Sequence, residues 1–225
     1  MQEEFESDII TTSGGDLKLT FIGHASLMFE FNHKIIHIDP VLQEADYSTL
    51  PAADLILITH EHFDHLDEDA IKRVINKRTQ LIYTRKCSDQ VTGGKVLNNG
   101  AKIDLEWIKI EVVPAYNIVH ERSPGKPFHP QGVGNGYVLT IADKRIYVAG
   151  DTENIPEMKA LENIDIAFLP MNLPYTMTPE MVADAARVFR PEILYPYHYG
   201  STDPRELVKL LEDEKDIEVR IRQLQ

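Results

Sequence analysis

The sequence predicts an α/β protein built from mixed sheets with helices on the outside. Three observations carry this. Ten apolar runs are too short for helices and rich in β-branched residues. One of them, Leu55-Ile-Leu-Ile-Thr59, is apolar on both faces, so its sheet should be covered on both sides. Helix start signals are interspersed late in each half of the chain, so helices alternate with strands.

The expected strands are Leu17–Phe21, Ser26–Phe31, Lys34–Ile38, Leu55–Thr59, Leu81–Thr84, Ile108–Val113, Tyr137–Ile141, Arg145–Ala149, Ile164–Leu169 and Ile193–Tyr195. Asp67 can cap a helix that carries Ala70, Ile71, Val74 and Ile75 on one side. Thr178 followed by Pro179 is a cap with a first-turn proline, and Asp203 with Pro204 and Glu206 repeats that logic. The segment from Tyr116 to Gly136 is long, polar and rich in Pro and Gly, and is read as a loop over a site. Its alternating Gly132, Gly134 and Gly136 precede a strand and are read as a flexible hinge, since the dinucleotide fingerprint needs a helix there.

Composition narrows the function classes. The chain has 225 residues, 43% of them hydrophobic, enough to bury a core, and no linker or charge block divides it, so one domain spanning 1–225 is expected. A net charge of −13 disfavours a nucleic-acid backbone and anionic membranes as partners and leaves a small-molecule substrate, with a homo-oligomer open. A single cysteine, Cys87, excludes an intrachain disulfide and reads as a small buried apolar side chain. The start, Met1 to Asp8, lacks the basic and apolar regions of a signal peptide, which favours the cytoplasm. The same acidic start would follow removal of a leader, so a periplasmic location stays open.

The chemistry concentrates in His60-Glu-His-Phe-Asp-His65, directly after the doubly apolar strand. His60 and His62 lie two apart, so in an extended segment both imidazoles face one ion. A turn at Asp64 and His65 would aim both at a second. Imidazole and carboxylate donors suit zinc, with manganese or iron as alternatives. The helical H-E-x-x-H pattern is not met, because Asp64 stands where its second histidine belongs.

Further donors should follow other strands. Asp151 follows a strand and a glycine turn, and its two oxygens could bridge two ions; an ordinary turn aspartate would look the same in isolation. His198 also follows a strand, as do Asp39 and His24, which read as partners that orient ligand imidazoles. Arg122 and Lys126 on the long loop are candidates for holding an anionic group, and Tyr116 and Tyr175 for lining a pocket, although each is as easily a solvated charge or a packing residue.

His-x-His-x-Asp-His after a strand, Gly150-Asp-Thr152 after a later one and a histidine near the end resemble the metallo-β-lactamase superfamily. Phe21-Ile-Gly-His-Ala-Ser26 with Ile38-Asp-Pro40 resembles its ascorbate-6-phosphate lactonase-like subgroup. The resemblance covers residues 17 to 205. It implies a four-layer αβ/βα sandwich with two divalent metals at the sheet ends, His60 and His62 on one, Asp64, His65 and His198 on the other, and Asp151 between them. It implies a hydrolase that uses a metal-bound hydroxide on a small-molecule ester, lactone or phosphoester, with Asp64 and Asp151 as the catalytic carboxylates. The family's usual third histidine for the first metal falls where this chain reads Tyr116-Asn117. His129, in Phe128-His-Pro130, is expected to take its place, with His120 as runner-up; Asn117 reads as a partner that orients a ligand, with completion of the first metal site by Asn117 itself left open. A nuclease, or a non-catalytic metal-binding ligand sensor, is the alternative function.

Overall fold

The computed structural model describes residues 4–225. The first of two seven-stranded sheets runs in chain order through β1 (Ser7–Thr12), β2 (Gly15–Gly23), β3 (Ser26–Phe31), β4 (Lys34–Ile38), β5 (Leu55–Leu57), β6 (Gln80–Tyr83) and β7 (Lys95–Val96). Strands β1 to β4 pair antiparallel, and β4 to β7 pair parallel. The second part of the chain repeats the scheme with β8 (Lys102–Asp104), β9 (Lys109–Ala115), β12 (Gly134–Ile141), β13 (Lys144–Val148), β14 (Ile166–Pro170), β15 (Ile193–Tyr197) and β16 (Glu218–Val219), antiparallel as far as β13 and parallel beyond it. A small hairpin of β10 (Glu121–Ser123) and β11 (Lys126–Pro127) stands apart from both sheets.

Period-two alternation explains the layers. Along the first sheet Leu17, Leu19, Phe21, Leu27, Phe29, Ile36, Ile38, Leu55 and Leu57 face the second sheet, while Met28, Ile35, Ile56 and Ile58 face outward. The seam between the sheets is aromatic: Phe21 lies 5.1 Å from Tyr195 and Phe29 5.8 Å from Phe168, centroid to centroid. The outward face is covered by α1 (Glu68–Val74) through Ala70, Ile71 and Val74, which is why Leu55 to Ile58 is apolar on both sides. Asp67 caps α1, accepting from the Asp69 and Ala70 amides. The second sheet is flanked by α2 (Pro156–Lys159), α3 (Pro179–Phe189) and α4 (Arg205–Leu210). Thr178 caps α3, and Phe189 meets Tyr147 edge-on at 6.1 Å. Two mixed sheets with helices outside is the predicted architecture. No helix among the described residues is long and apolar enough to cross a membrane.

Several local readings change. Asp203 does not cap α4 directly; Pro204 stands at the cap, and Asp203 accepts from the Arg205 amide. The long loop is partly built, holding the β10–β11 hairpin and the first residues of β12. Gly134 and Gly136 are not a hinge but strand residues under close approach: a Cβ would meet the Ala115 carbonyl at 2.9 Å and the Ala149 carbonyl at 2.8 Å respectively. Cys87 is buried, and burial pushes its thiol up to about 11, which suits packing and not reactivity.

His37 sits on the outward face of β4, fully buried. Its Nε2–H donates to the Pro51 carbonyl at 3.0 Å, and its Nδ1 has no partner. Burial lowers its pKa from 6.5 to about 4. The folded state therefore holds the neutral ring, while the unfolded chain takes up the proton. The contribution to stability is fully present above pH 6.5 and is lost as pH falls towards 4, by about 3 kcal/mol. Urea denaturation of chelator-treated protein across that window should show a steeper pH slope than His37→Asn, by about one proton; equal slopes would refute the assignment.

Candidate metal centre

Apart from His129, which comes from the long loop, the candidate donors and their partners leave the C-terminal ends of sheet strands, where an open α/β arrangement places ligands. His24 follows β2, Asp39 β4, His60 to His65 β5, Asp151 β13 and His198 β15. The turns that aim them are strained. His24, Asp39 and His198 all have positive φ, at 50°, 45° and 46°, a conformation that costs about 1–3 kcal/mol each and that persists where surrounding structure fixes it. Gly150 allows the turn into Asp151: its φ is 66°, and a Cβ there would lie 2.7 Å from the Asn135 carbonyl.

Two main donor groups result, and a third, His60, His65 and Asp151, overlaps both. The donor atoms of His60, His62 and His129 lie within 4.8 Å of one another, and so do those of His24, Asp64, His65 and His198. Asp151 lies between the groups. Its Oδ2 is 3.2 Å from His129 Nε2, 3.5 Å from His198 Nε2 and 3.9 Å from His60 Nε2, and its Oδ1 is 3.3 Å from His65 Nε2. His198 Nε2 is also 3.5 Å from Asp64 Oδ2.

These residues fit divalent ions. The buried atoms His60 Nε2, His65 Nε2, His198 Nε2 and Asp151 Oδ1 have no hydrogen-bond partner, a costly state unless something else binds them. Two donors about 2.1 Å from one tetrahedral ion stand about 3.4 Å apart. The spacings of 3.2 to 3.9 Å around Asp151 match that separation.

The supporting contacts fix ring orientation. Asp39, fully buried, accepts from His65 Nδ1 at 2.7 Å and is itself held by the Thr59 amide at 2.7 Å and hydroxyl at 2.6 Å. With Nδ1 donating, His65 turns its Nε2 to the site, the carboxylate–histidine arrangement common at metals. Asn117 does the same for His129: its Oδ1 accepts from His129 Nδ1 at 2.7 Å and from the His129 amide at 2.9 Å. His24 Nε2 is 3.3 Å from Asp64 Oδ2, so it touches a donor as expected and also stands within the second donor group.

Charges follow this geometry. Burial opposes ionisation of Asp151, but His198, His65 and His129 hold its carboxyl well below the usual range. Burial likewise opposes a charged His65, and Asp151 and Asp39 override it. Burial and the neighbouring His65 push His60 well below the ordinary histidine range. His62 is lowered by burial and by His129.

A cavity of about 390 Å³ opens onto these donors, lined by His62, Asp64, His129, Asp151 and His198 at its base and by Phe63, Phe128, Arg122 and Tyr175 around them. The Arg122 guanidinium lies 5.6 Å from the Phe128 ring centroid. Tyr116 is placed elsewhere. It is buried, its hydroxyl donates to Glu157 at 2.9 Å, and it does not line the cavity. A side chain leaving a strand can turn either way, and the sequence does not say which. His120 also turns away from the donors, its Nδ1 lying 2.6 Å from Glu153. Glu153 was not among the residues singled out from the sequence; only its place two after Asp151 could have marked it.

Comparison with known proteins finds relatives along nearly the whole chain. The family model described as a β-lactamase superfamily domain matches residues 18–198. A UPF0173 metal-dependent hydrolase of Pyrococcus horikoshii is 32% identical over 222 residues, covering 89% of this chain and 95% of its own. A crystal structure from Parabacteroides distasonis, described as a candidate metal-dependent hydrolase, is 50% identical with a TM-score of 0.94, covering 99% of this chain and all of its own. Igni18, a metallo hydrolase of Ignicoccus hospitalis, is 26% identical with a TM-score of 0.74, over 92% of this chain and 95% of its own.

Proposed function

The chain belongs to the metallo-β-lactamase superfamily, and from that membership and its donor geometry we propose a metal-dependent hydrolase that holds two divalent ions and opens a small-molecule ester, lactone or phosphoester. The observation that carries this is the convergence of the orphaned buried nitrogens of His60, His65 and His198 on Asp151. His60, His62 and His129 would hold one ion, Asp64, His65 and His198 the other, with Asp151 in contact with both. Zinc suits the donor set. When bound, such ions lower the pKa of a water towards neutrality and polarise the scissile oxygen.

The chain's own groups do the rest. Asp39 and Asn117 accept from the Nδ1 atoms of His65 and His129, so both rings turn their Nε2 atoms to the site. Phe63, Phe128 and Tyr175 supply apolar walls, and Arg122 a cation, to a cavity of small-molecule size. That combination favours a substrate with an apolar body and an anionic group, as in a lactonase-like reading, and the net charge of −13 disfavours nucleic acid.

The test is a panel of lactones, carboxylic esters and phosphodiesters, each with and without an anionic substituent, assayed on metal-loaded protein and after chelation. Chelator-sensitive turnover of at least one class is expected. Arg122→Ala should raise KM about tenfold for anionic members only, the effect of losing one charge-assisted contact. Fully loaded protein that turns over no member of the panel would sink the proposal.

A further inference from the structure

Glu153 is fully buried, and a buried carboxylate needs strong partners. It has them all in one loop. The Ile118 and Val119 amides donate to its Oε2 at 2.7 and 2.6 Å. Its Oε1 accepts from the His120 amide at 2.8 Å and from the Asn117 side-chain amide at 3.0 Å. Burial raises the carboxyl pKa, but these donors outweigh it and hold the pKa below the usual range. None of the contacts reaches a metal donor directly.

The consequence passes through Asn117. Its Nδ2 donates to Glu153 Oε1 and to the Tyr175 carbonyl at 2.9 Å, which uses both amide protons. Its Oδ1 is thereby turned to His129, where it accepts from Nδ1 and from the main-chain amide. The Asn117 amide in turn donates to the His129 carbonyl at 2.9 Å, tying the two residues together along the chain. Flipping the Asn117 side chain would set its N–H groups against the His129 N–H groups and its oxygen against Glu153 and the Tyr175 carbonyl. We propose that Glu153 is a positioning residue: by locking the Asn117 amide it sets the tautomer and ring orientation of His129, leaving Nε2 free to bind the first ion, 3.2 Å from Asp151 Oδ2. The relay ties the orientation of His129 to a residue twelve positions earlier, next to the end of β9. The proposal rests on the reading of His129 as a ligand.

Two readouts test it, both on full-length protein. In metal-free protein, the ring nitrogen shifts of His129 should report an Nδ1–H tautomer in the wild type and a mixture in Glu153→Gln. In competition with a chromophoric zinc chelator, Glu153→Gln should weaken one of two ions by about 10- to 100-fold and leave the other within about twofold. Asn117→Ala should do the same and serves if Glu153→Gln does not fold. An unchanged tautomer with wild-type affinity at both sites would overturn the proposal, as would equal weakening of both sites alongside a lower melting temperature, the mark of a merely structural carboxylate. Wild-type protein that takes up fewer than two ions would count against the binuclear reading, while the tautomer in metal-free protein would still decide the relay.

Discussion

Asp151→Ala is expected to abolish tight binding of both ions and to lower kcat/KM by at least about a thousandfold, equivalent to about 4 kcal/mol of lost transition-state stabilisation. Asp151 is the only carboxylate of the described residues whose two oxygens approach donors of both groups, His129 and His60 on one side and His65 on the other. Its loss also removes the charge that burial alone would not tolerate and that three histidines hold in place. The check is metal content after gel filtration together with kcat/KM on whichever class the panel identifies. The zinc-induced rise in melting temperature, which follows from binding to the folded state, should vanish with it. Asp151→Asn keeps one neutral oxygen and should retain a single weakly held ion. An alanine variant that keeps two ions would show that Asp151 does not join the groups.

His129→Ala should release one ion and keep the other, whereas His120→Ala should keep both. The two histidines lie in the same loop, and the sequence left either able to serve as the displaced ligand. The structure separates them: His129 Nε2 faces Asp151, and its ring lies 5.1 Å from that of His60 and 4.9 Å from that of His62, while His120 is spent on Glu153. Elemental analysis of the two variants against wild type decides the matter. Two ions in His129→Ala, or one in His120→Ala, would reverse the assignment.

What the sequence made legible was local chemistry. His60, His62, Asp64 and His65 share one turn, and Asp151 and His198 each follow an apolar strand, so residue type and position were enough to single them out. Short apolar runs bounded by turns, such as Ser26–Phe31 and Lys34–Ile38, were readable to the residue. β1 was not, because Ser7–Thr12 is an edge strand in a polar acidic stretch with Ile9 exposed and only Ile10 and Thr12 buried. β7, β8 and β16 are two or three residues long and carry no period to detect. The remaining misses are tertiary. The close approach at Gly136, the direction of Tyr116 and the burial of Glu153 under loop residues 117–120 arise only when distant segments meet.

The most direct measurement is anomalous diffraction from crystals of the zinc-loaded protein. Two peaks are expected, each about 2.0–2.2 Å from its donors. One should be bound by His60, His62 and His129, the other by Asp64, His65 and His198, with Asp151 reaching both. A single peak, or two peaks with the His129 imidazole turned to solvent, would contradict the binuclear centre.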